Sequence, residues 1–157
     1  MQIADVLTPD DVFIDWKVAD KSDLLVKLSE LGATRVSATK PEIFNALSAR
    51  ETLGSTGMGG GVALPHARLA SVADPIGIFV RLRQAIDYDA VDAAPVDLVF
   101  LLLLPDFPRS VQLPALACVA RGLRDPRVSS QVRKARDRAE LFSAISGPVE
   151  RDGKIAQ

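Results

Sequence analysis

The sequence predicts a single-domain α/β fold in which helices cover both faces of a β-sheet, and three observations carry that prediction. The chain has 157 residues, 48% hydrophobic and 25% charged. That is ordinary globular composition, with enough apolar surface for a buried core. Strand-like and helix-like patterns alternate without internal repeats or a low-complexity linker, as in an α/β sandwich. Finally, Leu98 to Leu104 is apolar without interruption, the mark of a strand covered on both faces.

In chain order, Val12-Phe13-Ile14-Asp15-Trp16 is rich in strand formers and predicts a first strand. From Ser22, Leu24, Leu25, Leu28 and Leu31 form the stripe of an amphipathic helix that ends at Gly32. A second helix opens at Thr39-Lys40-Pro41-Glu42, where Thr39 can cap, Glu42 can complete a capping box and Pro41 suits the first turn. Ile43, Ala46, Leu47 and Arg50 share one face of it, so Arg50 falls near its C-terminus. Residues 76–82 and 96–104 read as strands, and Asp87 to Asp92 between them reads as a short edge strand or an acidic turn. Helices are predicted at 110–124, 126–136 and 138–146, with Asp125-Pro126 and Asp137 at their boundaries. One domain over 1–147 is expected, followed by a frayed tail at 148–157.

Bulk properties exclude several functions. Nineteen Lys and Arg against twenty Asp and Glu give a net charge of −1, against a broad nucleic-acid footprint. The locally basic stretch at 133–140, RKARDRAE, is diluted by acidic neighbours and reads as a solvated helix face. The single cysteine, Cys118, cannot form an internal disulfide and lies in an apolar run that suits a buried, inert thiol. No spacing of metal ligands is present. The N-terminus has no basic segment followed by an apolar core, and the run LVFLLLLP falls far short of the roughly 20 residues of a membrane helix. The expectation is a cytoplasmic protein that neither enters a membrane nor binds nucleic acid.

The chemistry concentrates in residues 54–69, GSTGMGGGVALPHARL, which hold the only histidine. Gly57, Gly59, Gly60 and Gly61 can take positive φ and offer N–H groups to an anion. The stretch matches neither nucleotide-binding loop. No Lys-Ser/Thr follows the glycines, and they lead into an extended Val62-Ala63-Leu64-Pro65 rather than a helix. A glycine-rich turn with a histidine at a strand end is the plain reading. The chemical reading rests on three features. Leu64-Pro65 stiffens the backbone that delivers His66. Reactive groups gather on loops at strand ends of α/β scaffolds. Arg50, Ser55, Thr56 and Arg68 supply cationic or hydroxyl donors nearby in sequence. No serine or cysteine stands out as a nucleophile for His66 to activate, and a lone histidine is a poor metal site. The chemical reading therefore makes His66 itself the nucleophile, with phosphoryl as the natural electrophile.

Arg50-Glu51, Gly54-Ser55-Thr56-Gly57-Met58-Gly59 and Val62-Ala63-Leu64-Pro65-His66 together resemble the signature of the fructose/mannitol-type (type 2) IIA domains of the bacterial phosphotransferase system. Within that group the likeness is to the nitrogen-regulatory type. It extends to Leu7, Asp10-Asp11, Pro95-Val96-Asp97-Leu98 and Leu123-Arg124-Asp125. The resemblance implies a mixed sheet sandwiched by helices. It implies that His66 accepts a phosphoryl group on Nε2 from a small HPr-like phosphocarrier protein, with no metal and no bound cofactor. Arg50 is then the charge partner of the phosphate, or else a cation serving its helix dipole. Ser55, Thr56, Gly57 and Gly59 form the phosphate-binding loop on this reading. Family members commonly carry a second histidine at the start of the helix after the long apolar strand. The matching position is Gln112, which can donate a hydrogen bond but cannot become cationic. The implied role is regulatory, through target proteins such as potassium transport or sensor proteins. A sugar-specific IIA component feeding a membrane permease and a non-catalytic binding module are the alternatives.

Overall fold

A computed structural model describes residues 1–147; the tail expected to fray, 148–157, lies outside the described residues. In chain order the elements are β1 (Val12–Trp16), α1 (Lys21–Ala33), α2 (Lys40–Thr52), β2 (Gly57–Gly59), β3 (Val62–Ala63), β4 (His66–Leu69), β5 (Ile76–Ile86), β6 (Val96–Pro105), α3 (Gln112–Arg124), α4 (Pro126–Lys134) and α5 (Arg138–Ser146). Single 3-10 turns occupy Ile3–Asp5, Pro9–Asp11 and Arg109–Val111.

The apolar run builds the centre of the sheet. β6 pairs antiparallel with β5 along one edge, and parallel with β3 and then β4 along the other. β1 pairs parallel with β5, and β2 antiparallel with β3, which makes a six-stranded mixed sheet. Side chains of β6 alternate between two cores. Leu98, Phe100, Leu102 and Leu104 pack with Ala115, Val119 and Leu123 of α3, Val132 of α4, and Leu141 and Ile145 of α5. Val99, Leu101 and Leu103 pack with Leu24, Leu25 and Leu28 of α1 and Ile43 and Leu47 of α2. Helices therefore cover both faces, as the unbroken apolar strand requires.

Among the described residues, four of the five α-helices begin at a side-chain cap, and α3, which has none, starts at Gln112 rather than at the expected 110. Thr39 Oγ1 accepts from the Glu42 N–H at 3.2 Å, and Glu42 Oε1 accepts from the Thr39 N–H at 3.3 Å, a closed capping box. Asp20 and Asp137 cap α1 and α5 with their side chains alone, accepting the N–H groups of Asp23 and Glu140 at 2.8 and 2.9 Å. Pro114 lies in the first turn of α3, which starts at Gln112 itself. Cys118 is buried.

Three expectations are corrected. Residues 87–92 form no edge strand, and the acidic turn read there is confined to Val91-Asp92, where the Ala93 N–H donates to the Ala90 carbonyl at 2.9 Å. Burial does alternate there, with Tyr88 and Ala90 inside, but Asp89 and Ala93 take positive φ and no ladder forms. β5 runs on to Ile86, past the expected end at 82, through an exposed stretch at 83–85. The basic run 133–140 is not one solvated helix face. It spans the break between α4 and α5, and its arginines make structural contacts: Arg133 pairs with Asp97, and Arg138 Nε donates to the Val12 carbonyl at 2.7 Å.

Candidate functional site

The glycines serve a hairpin. In the β2–β3 pair, Gly57 faces Ala63 and Gly59 faces Val62, which leaves Gly60 and Gly61 as the two turn residues. Their φ angles are +67° and +80°. Positive φ at both central positions is what a type I′ two-residue turn demands, and glycine adopts it freely. The turn is held from outside. Asp92 Oδ2 accepts the Gly60 N–H at 3.0 Å, while Arg133 Nη2 donates to the Gly60 carbonyl and to Asp97 Oδ1, both at 2.8 Å.

Beyond Ala63 the chain leaves the β-ladder for two residues. The Leu64 N–H donates to the Thr56 carbonyl at 3.0 Å, and the Pro65 carbonyl accepts from the Leu102 N–H at 3.0 Å. Pro65 has no N–H to give a neighbour, so the break falls where a proline can sit. Pairing resumes with His66 opposite Leu102. The histidine thus projects from a strand fixed on both sides of the break.

The half-buried imidazole of His66 has two partners. Nδ1 lies 2.9 Å from the Leu64 carbonyl oxygen, and Nε2 lies 3.2 Å from Arg50 Nε. A carbonyl can only accept and a guanidinium can only donate. The ring is therefore the Nδ1–H tautomer, with its Nε2 lone pair turned to Arg50. Burial is the main cause holding the imidazole pKa below its usual 6.5; the Leu64 hydrogen bond opposes it, the Arg50 and Arg68 charges lower it, and Glu51 raises it. The ring is neutral near pH 7. Arg50, in the last turn of α2, also donates Nη1 to the Gly54 carbonyl at 2.8 Å. It bonds the loop just past the helix end and faces the imidazole at once.

Behind this pair lies a polar network that the sequence did not reveal. The Glu51 side chain, 7% exposed, accepts from the Thr56 N–H at 3.1 Å, from the Thr56 hydroxyl, and from Lys21 Nζ at 2.9 Å. Thr56 Oγ1 lies 3.0 Å from the Tyr88 hydroxyl, and Lys21 Nζ sits 4.4 Å above the Tyr88 ring centre. Burial, with the Glu51 charge beside it, pushes the Tyr88 phenol pKa far up, so it stays protonated. The Ser55 hydroxyl donates to the Tyr88 carbonyl at 3.1 Å and accepts the Gly57 N–H at 3.1 Å. The groups read from sequence as phosphate donors at Ser55, Thr56 and Gly57 are thus engaged with the protein itself. Gly57 is a packing glycine: a Cβ there would lie 2.7 Å from Ala90 Cβ. Gly59, at φ +96°, leads into the turn. The one sequence signal for this network was a lone tyrosine between two aspartates.

Gln112 stands at the head of α3, half-buried, with Nε2 donating to the carbonyls of Pro105 at 3.1 Å and Asp106 at 3.2 Å. Pro105 pairs with Leu69, three residues along the strand from His66. No hydrogen bond joins Gln112 to His66 or Arg50. Among the described residues no group of three or more His, Cys, Asp or Glu could hold a metal, and no helix is long and apolar enough to cross a membrane.

Comparison with known proteins gives the family of the chain. The fold is that of the phosphotransferase-system IIA proteins: it matches the nitrogen regulatory protein IIA-Ntr of Neisseria meningitidis with a TM-score of 0.86 and 31% identity, covering 91% of this chain and 98% of that one. Residues 5–147 match the family described as phosphoenolpyruvate-dependent sugar phosphotransferase system, EIIA 2. The nitrogen regulatory protein of Bradyrhizobium diazoefficiens is 37% identical over 148 residues, 94% of this chain and 97% of its own length. That of Escherichia coli K12 is 35% identical over 147 residues, 93% and 90%. The chain belongs to the EIIA 2 family, with its likeness to the nitrogen-regulatory type.

Proposed function

We propose that the protein is a regulatory phosphocarrier that accepts a phosphoryl group on His66 Nε2 from a small histidine-phosphorylated carrier protein. The observation that carries this reading is the pair of ring contacts: the Leu64 carbonyl holds the proton on Nδ1, and Nε2 keeps its lone pair. As the new P–N bond forms from that lone pair, the donor's P–N bond breaks and its electron pair returns to the donor imidazole. No proton need leave His66. Burial supports this by keeping the ring neutral at pH 7. Phosphoryl transfer of this kind depends on positioning and charge stabilisation. Leu64-Pro65 supplies the first and Arg50 the second, its guanidinium turning from the lone pair to the phosphoryl oxygens. Thr56 acts at one remove by holding Glu51, the neighbour of Arg50, and Ser55 by holding the loop. Gln112 stands where the resemblance implies a second histidine, and its amide nitrogen is held by the carbonyls of Pro105 and Asp106. The nitrogen-regulatory relatives support a regulatory output rather than sugar uptake, and potassium transport or sensor proteins are the target class that the resemblance implies.

Incubation with radiolabelled phosphocarrier tests the proposal. The wild type should take up about one acid-labile phosphate per chain, as P–N chemistry on one imidazole requires, and His66→Ala should take up none. Equal labelling of His66→Ala, or none of the wild type, would refute the reading.

A further inference from the structure

We propose that Arg68 is a second cationic contact for the phosphoryl group on His66, supplying from β4 the positive charge that Gln112 cannot. The inference rests on the phosphocarrier reading above and adds a residue to that site. It begins with the alternation of β4. Ala67 and Leu69 are buried in the core shared with α1 and α2, so His66 and Arg68 project from the opposite face. Register agrees. His66 pairs with Leu102 and Arg68 with Leu104, and both leucines face α3, α4 and α5. Two residues apart on one strand face, the side chains start about 7 Å from each other, within reach of an arginine arm.

Arg68 is also uncommitted. Its side chain is exposed and makes no hydrogen bond or ion pair with any other described residue. Arg50, Arg81, Arg133 and Arg138 are all engaged. The charged groups that bear on the imidazole are Arg50 and Arg68 against Glu51, so the Arg68 charge already reaches the ring. Gln112 is nearby but occupied. Its amide nitrogen is bound to the carbonyls of Pro105 and Asp106, and Pro105 pairs with Leu69, the residue after Arg68. A phosphoryl group arriving on Nε2 brings about two negative charges. Arg50 meets it from α2, and Arg68 can meet it from the strand.

Single-turnover transfer from the phosphorylated carrier to Arg68→Gln, Arg68→Lys and Arg83→Gln tests this, with the His66 pKa measured by NMR in each. One histidine in the chain makes its ring signal unambiguous. Arg83 is an exposed control on β5, across β6 from β4. Arg68→Gln should lower the limiting rate at saturating carrier about tenfold, the scale of one charge-assisted contact, and raise the His66 pKa. Arg68→Lys should keep most of the rate, and Arg83→Gln should match the wild type. A wild-type limiting rate in Arg68→Gln overturns the proposal, as does a loss confined to the half-saturating carrier concentration, which would make Arg68 a docking residue. If the wild type itself takes no phosphoryl group, the phosphocarrier reading has failed; if the wild type is labelled and Arg68→Gln matches it, only this inference has.

Discussion

His66 is held by one acceptor and one donor, and its protonation follows from its surroundings. Its pKa in the fold is lowered, so the neutral nucleophile persists to more acid pH than a free histidine allows. Phosphoryl acceptance should therefore rise with pH through a midpoint below 6.5 and stay level above about pH 7, with the midpoint matching the NMR titration of His66, this chain's one imidazole. A midpoint above 6.5 in the pH–rate profile would contradict this. Arg50→Gln removes a cation that lowers the imidazole pKa, so NMR titration should show that pKa rise. The same variant should slow acceptance roughly 10- to 100-fold, the value of a charged hydrogen bond. Gln112→His restores a group that can become cationic, and it should change the transfer rate or the phosphohistidine lifetime. If both stay unchanged, Gln112 lies outside the site. At this scale the pairing of His66 with Arg50, 3.2 Å apart, was legible in the sequence because a lone imidazole and an arginine at a helix end stand out. The partners of Ser55 and Thr56 were not. A hydroxyl bonds to whatever folds beside it, and here both hydroxyls also meet Tyr88, more than thirty residues away.

The element that presents the histidine is a hairpin whose glycines differ in what they face. Gly60 and Gly61 both need positive φ, but a Cβ on Gly60 meets nothing within 4 Å. One on Gly61 would lie 2.6 Å from Arg133 Nη2 and 2.9 Å from Asp97 Oδ1. Gly61→Ala should therefore destabilise more than Gly60→Ala in urea unfolding. Backbone strain alone accounts for about 1 kcal/mol or more in each, and Gly61→Ala also displaces the Arg133–Asp97 pair. Equal losses would mean that this pair does not clamp the turn. Helices were legible almost to the residue because their caps are local: Thr39 and Glu42 announce α2 without reference to the rest of the chain. β2, β3 and β4 were not, since two to four residues cannot show an alternation. The proline break at Leu64-Pro65 was read as stiffness, and it is also the point where the chain leaves the ladder.

The whole molecule is organised by β6, whose side chains feed two separate cores. Leu101 and Leu102 are both fully buried and face opposite helical layers. Either one replaced by alanine should cost about 2–5 kcal/mol in denaturant unfolding, and a small loss at one of them would mean that its layer is loosely packed. The sandwich was legible because a doubly covered strand must be apolar throughout. Strand order was not: the parallel pairing of β4 with β6 joins His66 to Leu102 across 36 positions, and no local pattern encodes it. That pairing matters to function because it sets the imidazole on a rigid edge with Leu64 behind Nδ1. The most direct measurement of the consequence is 31P and 15N NMR of the phosphorylated wild type. The expected result is a phosphoryl group on Nε2 of His66, with the Nδ1 proton retained; phosphoryl on Nδ1, or none on His66, would contradict it.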